Sequence, residues 1–161
     1  MNEKNKSQYH KVDKTIEKEI VNILNGYYEN VVFGTLDEDK FPFLSKIIPM
    51  YCKKKLYLLL SDLSEHTKNI KKNKKSSIYY LLKETHKQKL NNSRLTVIGT
   101  IKILNLKKND KKFIKLLNNY STIENGAKLW GKFEDFNFYS FDIIKYIYIK
   151  GFGKAYIKHF K

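Results

Sequence analysis

Cysteine is almost absent from this chain. Cys52 is the only one, which excludes an internal disulfide and any cysteine-based zinc cluster. Arginine is scarcer than its partner cation by a wide margin: of 32 basic residues all but Arg94 are lysine. Proline occurs only at Pro42 and Pro49, and alanine is rare. No long hydrophobic run exists; the longest uncharged apolar stretch, Leu56 to Leu60, is far too short to span a bilayer. Met1 to Lys14 is polar and carries no secretory signal, so a soluble cytoplasmic protein is expected. Walker loop, dinucleotide fingerprint, HExxH and nucleophile elbow are all missing.

What remains is aromatic and basic. The 161 residues are 42% apolar and include 12 Tyr, 10 Phe and Trp130, which excludes disorder for most of the chain. That length fits one domain, expected over residues 14–161 behind a mobile segment at 1–13. The formal net charge of +16 points towards nucleic acid. Lysine, Asn, Ile and Tyr are raised together, however, as expected of drift towards one codon class, so no specific nucleic-acid partner is assigned. Such a surface still attracts anionic ligands in a salt-dependent way. Arg94, standing where lysine is used everywhere else, marks a need for the planar bidentate guanidinium, or else a structural ion pair or chance survival.

Periodicity divides the chain into short elements. Ile16, Ile20, Ile23 and Leu24 recur at helical spacing, with Asp13 or Thr15 as cap and Gly26 as stop. Strands follow at 31–36, 41–51 and 56–61, joined by the tight turns Asp37–Lys40 and Lys53–Lys55. Ser64 caps a short helix ending near Asn73. Strands are expected again at 76–82 and 94–104, a helix through Phe113, Leu116 and Leu117, and two closing strands at 136–141 and 144–156. Six or seven antiparallel strands with helices inserted between them describe a mainly β, α+β fold: a small barrel with peripheral helices.

Candidate chemistry concentrates at the strand-to-helix junction Ser61 to Asn69. A helix N-terminus offers free N–H groups and a partial positive charge, to which Ser61, Ser64 and Thr67 add hydroxyls and Lys68 a cation. Ordinary capping beside a solvated lysine accounts for the same spacing, and His66 reads equally as a packed or surface histidine. Arg94 opens a strand that a barrel could lay beside this junction, supplying a second cationic fork. Asp135 either orients a histidine or caps its turn, and His159 lies near the C-terminus.

Five patches occur in a meaningful order: Gly34-Thr35-Leu36-Asp37 with Pro42 and Ser45; Ser61 to Asn69; Arg94-Leu95-Thr96; Glu134-Asp135-Phe136; and Gly151-Phe152-Gly153-Lys154-Ala155-Tyr156. In this order they resemble the FMN-binding split-barrel superfamily related to pyridoxamine 5′-phosphate oxidase, and in detail its haem-utilisation (HugZ/HutZ-type) branch. The resemblance implies a homodimer of split barrels with cofactor sites at the subunit interface. For the flavin relatives it implies FMN phosphate contacts at Ser61, Thr67, Lys68 and Arg94, with oxidoreductase chemistry on the flavin. For the haem branch it implies haem binding and oxygen-dependent haem degradation with release of iron. There the axial histidine lies on a C-terminal extension, supported by an aspartate matching Asp135. Lys40 stands where relatives place a turn glycine, and Lys68 where they place arginine. The sequence ends at Lys161, short of that extension, which leaves His159 as the nearest histidine for a haem iron.

Overall fold

The computed structural model describes residues 9–160. Most of the segment expected to be mobile, residues 1–8 of 1–13, lies outside the described residues. Within the rest, β1 (His10–Lys11) pairs in parallel with the last strand, and Asp13 caps α1 (Lys14–Leu24), its carboxylate accepting from the Ile16 amide at 2.8 Å. Spacing of i, i+4, i+7 and i+8 puts Ile16, Ile20, Ile23 and Leu24 on one buried stripe.

β2 (Asn30–Leu36) and β3 (Pro42–Lys46) form a hairpin whose turn is closed by the Asp37 carboxylate, which accepts from the Phe41 amide at 2.7 Å. Lys40 sits in that turn at φ 67°, the conformation for which a glycine is the usual choice. The single strand expected over 41–51 is two strands. β4 (Met50–Cys52) leaves β3 at Ile47–Pro49 and pairs instead with β5 (Lys55–Ser61). Pro49 lies in the break, where it has no amide hydrogen to give to a ladder.

Beyond β5 come α2 (Glu65–Lys72), β6 (Lys75–Leu81), β7 (Arg94–Ile103), α3 (Lys111–Tyr120) and α4 (Ala127–Trp130). Between β6 and β7, the buried Asn92 ties the loop together: its side chain accepts from the Thr85 and His86 amides and donates to the His86 and Lys89 carbonyls.

The two closing strands are bounded differently from the expectation. Residues 136–151 form one 16-residue strand, β8 (Phe136–Gly151), and β9 (Lys154–His159) returns antiparallel to it. β8 survives the expected break because β7 pairs with it on both sides of that point, from Tyr139 to Ile149; a bulge opposite Ile98 and Gly99 absorbs Ile144 as the extra residue. The break falls instead at Phe152–Gly153, a two-residue hairpin turn with Gly153 at φ +73°.

The sheet order is β1-β9-β8-β7-β6-β2-β3, with β5 on the other edge of the first half of β8. Thus β8 holds β5 through Phe141 and β9 from Lys145 onward, and the sheet divides there. This is a split barrel of seven strands of five or more residues plus the short β1 and β4.

The barrel holds the larger core: the α1 stripe against Phe33, Leu58, Ile78, Tyr80, Val97, Phe141 and their neighbours. A smaller core on the other face of β5 and β8 packs Leu59 and Phe138 against Phe113, Leu116 and Tyr120 of α3. Covering on both faces explains why Leu56 to Leu60 is an unbroken apolar run.

Candidate functional site

The Ser61–Asn69 junction is fastened to the start of β8. Ser61 pairs with Phe136, and the Asp62 amide donates to the Asp135 carbonyl at 2.7 Å. The Ser61 hydroxyl donates to the Asp135 carboxylate and accepts from the Leu63 amide at 3.1 Å. Asp62 gathers the Asn137 amide at 3.0 Å, the Tyr139 hydroxyl at 3.3 Å and the Lys71 ammonium at 3.0 Å. Asp135 therefore engages a serine in its own chain and orients no histidine there.

Ser64 stands at the N-cap of α2 with extended backbone, yet its hydroxyl makes no capping bond. The buried face of α2 carries Thr67, Asn69 and Ile70, and Asn69 donates to the Thr35 hydroxyl of β2 at 3.1 Å. The His66 ring meets Phe33 edge to face at 6.0 Å. Neither His66 Nε2 nor Thr67 Oγ1 has a hydrogen-bond partner among the described residues. Burial lowers the His66 pKa below its ordinary 6.5. The unfolded chain therefore binds a proton that the folded one resists, and stability declines as pH falls through that value. Acidification from about pH 7.5 to about pH 5.5 should lower Tm less in His66→Gln than in the wild type. Parallel Tm–pH curves for the two proteins would contradict this.

Beside the junction opens a cleft of about 310 Å³. Ile47, Ile48, Leu59 and Leu60 form its floor, Tyr120, Trp130 and Phe136 its aromatic wall, and Lys46, Ser61, Ser64 and His66 its polar lip. Trp130 and Phe136 lie 4.9 Å apart, and Tyr120 stands edge-on to Trp130 at 6.2 Å. The Tyr120 hydroxyl donates to the Ile48 carbonyl, joining the wall to the floor. Lys108 braces the back: it donates to the Gly131 carbonyl at 3.1 Å and to that of Phe136, and stands 4.6 Å over the Phe113 ring. Its pKa is pushed down by burial.

Of the residues expected at a site, Ser61, Ser64 and His66 line this cleft. Thr67 is fully buried beneath α2, and Lys68 is exposed and paired with Glu65 at 3.1 Å. Arg94 lies elsewhere. It pairs with Ile149 of β8 whereas Ser61 pairs with Phe136, roughly 40 Å away along the strand at about 3.3 Å per residue. Its guanidinium donates to the Leu90 and Asn92 carbonyls at 3.1 and 3.0 Å. His159 is exposed at the end of β9, opposite Lys145, and does not line the cleft. Phe136 closes the Glu134-Asp135-Phe136 patch and also lines the cleft. Lys46, Tyr120 and Trp130 belong to no sequence motif; the one signal is that Trp130 stands four residues before that patch.

The fold is that of the split barrels related to pyridoxamine 5′-phosphate oxidase. The CREG beta-barrel family model matches residues 42–159, and the chain belongs to that family. No curated protein is similar enough in sequence to count as a match. Among solved structures, ChuZ of Campylobacter jejuni superposes with a TM-score of 0.81 at 22% identity over 93% of this chain and 61% of its own. A haem-binding protein of Mycobacterium smegmatis gives 0.73 at 17% identity over 85% of this chain and 55% of its own. HutZ of Vibrio cholerae, described as a haem storage protein, gives 0.67 at 17% identity over 79% and 89%. The chain thus spans little more than half the length of the first of these relatives' structures. No helix among the described residues is long and apolar enough to cross a membrane.

Proposed function

We propose that this protein is a homodimer that binds haem in the Trp130–Phe136 cleft and supports oxygen-dependent haem degradation. The observation that carries the choice of haem over FMN is the condition of the four implied phosphate contacts. Ser61 already donates to a carboxylate, Thr67 is buried, Lys68 is paired with Glu65, and Arg94 holds loop carbonyls. A phosphate dianion beside Asp135 would also meet a like charge. A flat apolar macrocycle needs less of the junction: stacking on Trp130 and Phe136, contact with Ile47, Ile48 and Leu59, and a cation such as Lys46 for a propionate. Bound haem would supply the redox chemistry by which dioxygen opens its ring and frees the iron. The chain's part is to hold and orient it and to keep water from its apolar face.

The dimer reading rests on the outer face of the sheet. One cross-strand row runs Ile157, Ile147, Thr96, Tyr79, Val32 and Lys46, from β9 to the cleft lip. The next row holds His159, Lys145, Ile98, Ser77, Gly34 and Leu44, and Leu44 is 67% exposed. α1 and α2 pack inside the barrel and leave this apolar face open. Arg94 and His159 share the face with Lys46, so a two-fold pairing there would carry them towards the other subunit's cleft and make them interfacial ligands. Ile98→Glu is expected to yield a monomer by sedimentation and to lose haemin affinity, while the wild-type dimer binds haemin and its spectrum decays with ascorbate and oxygen. A monomeric wild type, or a haem complex inert to reductant and oxygen, would refute the dimer or the degradation respectively. An unchanged haem spectrum in His159→Ala would exclude that residue as a ligand.

A further inference from the structure

A second cavity, about 540 Å³, opens at the other end of β5, where β8 lets go of β5 after Phe141 and takes up β9 at Lys145. α1 roofs it with Ile20 and Val21, and Phe141, Ile143, Tyr146 and Phe160 form an apolar and aromatic interior. Each of its acids is held by a lysine: Glu17 is paired with Lys158 at 2.5 Å and Asp142 with Lys102 at 2.8 Å. Lys54 and Lys55, at the rim, have no ion-pair partner among the described residues. The mouth is therefore net cationic over an apolar pocket.

Two further features belong to the same place. The hydroxyls of Tyr51 and Tyr146, both in the cavity wall, have no hydrogen-bond partner among the described residues. Burial, and to a lesser extent the Glu17 carboxylate, raises both pKa values, so the phenols remain protonated donors. The turn that presents Lys54 is a two-residue hairpin with Lys53 at φ 50° and Lys54 at φ 62°, positions where Asn-Gly would be unstrained.

We infer that this seam is a ligand site, separate from the haem cleft, for an amphiphilic anion: an acyl or aryl carboxylate whose apolar body lies between Phe141, Tyr146 and Phe160. Its carboxylate would accept from the Tyr51 and Tyr146 hydroxyls and pair with Lys54 and Lys55. Dodecanoate is the probe, titrated calorimetrically below its aggregation concentration, with dodecyltrimethylammonium as the same tail carrying the opposite charge.

The expected result is saturable binding of dodecanoate at one site per chain, with the ammonium compound at least about tenfold weaker. Lys54→Gly relieves the turn and should raise Tm while lowering dodecanoate affinity about tenfold; loss of binding in a more stable protein cannot be misfolding. Ile143→Trp, which fills the seam, should abolish binding, and Ser64→Trp, which fills the haem cleft, should leave it intact. Charge-blind binding, full affinity in Lys54→Gly, absence of saturable binding, or loss of binding in Ser64→Trp would each overturn the assignment.

Discussion

Ser64→Trp is expected to lower haemin affinity about 100-fold or more while leaving the fold intact. Ser64 is half-buried at the cleft lip, and its hydroxyl makes no capping bond, so replacing it costs α2 no hydrogen bond. An indole there would occupy the space between Leu60 and Phe136 that the macrocycle needs. About 100-fold corresponds to roughly 2.7 kcal/mol, within what excluding a large aromatic surface from its site supplies. Lys46→Ala should have a smaller effect, because Lys46 is exposed and its charge is screened. Absorbance titration of both variants against the wild type makes the comparison. Haemin affinity in Ser64→Trp within about threefold of the wild type would mean that haem binds elsewhere.

Gly99→Ala carries the largest expected loss of stability. A β-carbon at Gly99 would stand 2.2 Å from the Asp142 carbonyl and 2.5 Å from the Phe141 ring. Both obstacles lie immediately before the bulge by which β8 stays paired with β7 while changing partners from β5 to β9. Gly99 is itself held between β6 and β8, so its backbone has little room to retreat, and the cost should reach the upper end for overpacking, about 3 kcal/mol, or roughly 10 °C in Tm for a chain of this size. Gly151→Ala is the internal control: its nearest neighbour would be the Asn91 carbonyl at 3.4 Å, an ordinary contact, and near-neutral behaviour is expected. Equal Tm values for the two variants, by thermal denaturation, would contradict the role given to the bulge.

Much of the barrel could be read from sequence because local chemistry announces it. Asp13 caps α1, Gly26 follows its end, and Lys40 occupies a left-handed turn position for which glycine is the usual choice. The alternation in 94–104 and the uninterrupted run at 56–60 correspond to a strand with one open face and a strand covered on both. What could not be read depends on partners distant in sequence. Nothing local tells that Ile143 and Ile144 continue a strand, because β7 imposes it through Gly99, 44 residues before Ile143. The placement of Arg94 follows from register: its motif lies in order with the junction motif, yet the two pair with opposite ends of β8. The cleft was half legible. Ser61, Ser64 and His66 belong to one contiguous motif, whereas Lys46, Tyr120 and Trp130 come from three separate elements and meet only when the chain folds.

The most direct test of the account is an absorbance titration of the purified wild-type protein with haemin, repeated in the presence of excess FMN. The account predicts a saturable haem spectrum at one site per subunit that FMN does not displace. A bound flavin spectrum that excludes haemin, and that disappears in Arg94→Ala, would contradict it and make the chain a flavoprotein.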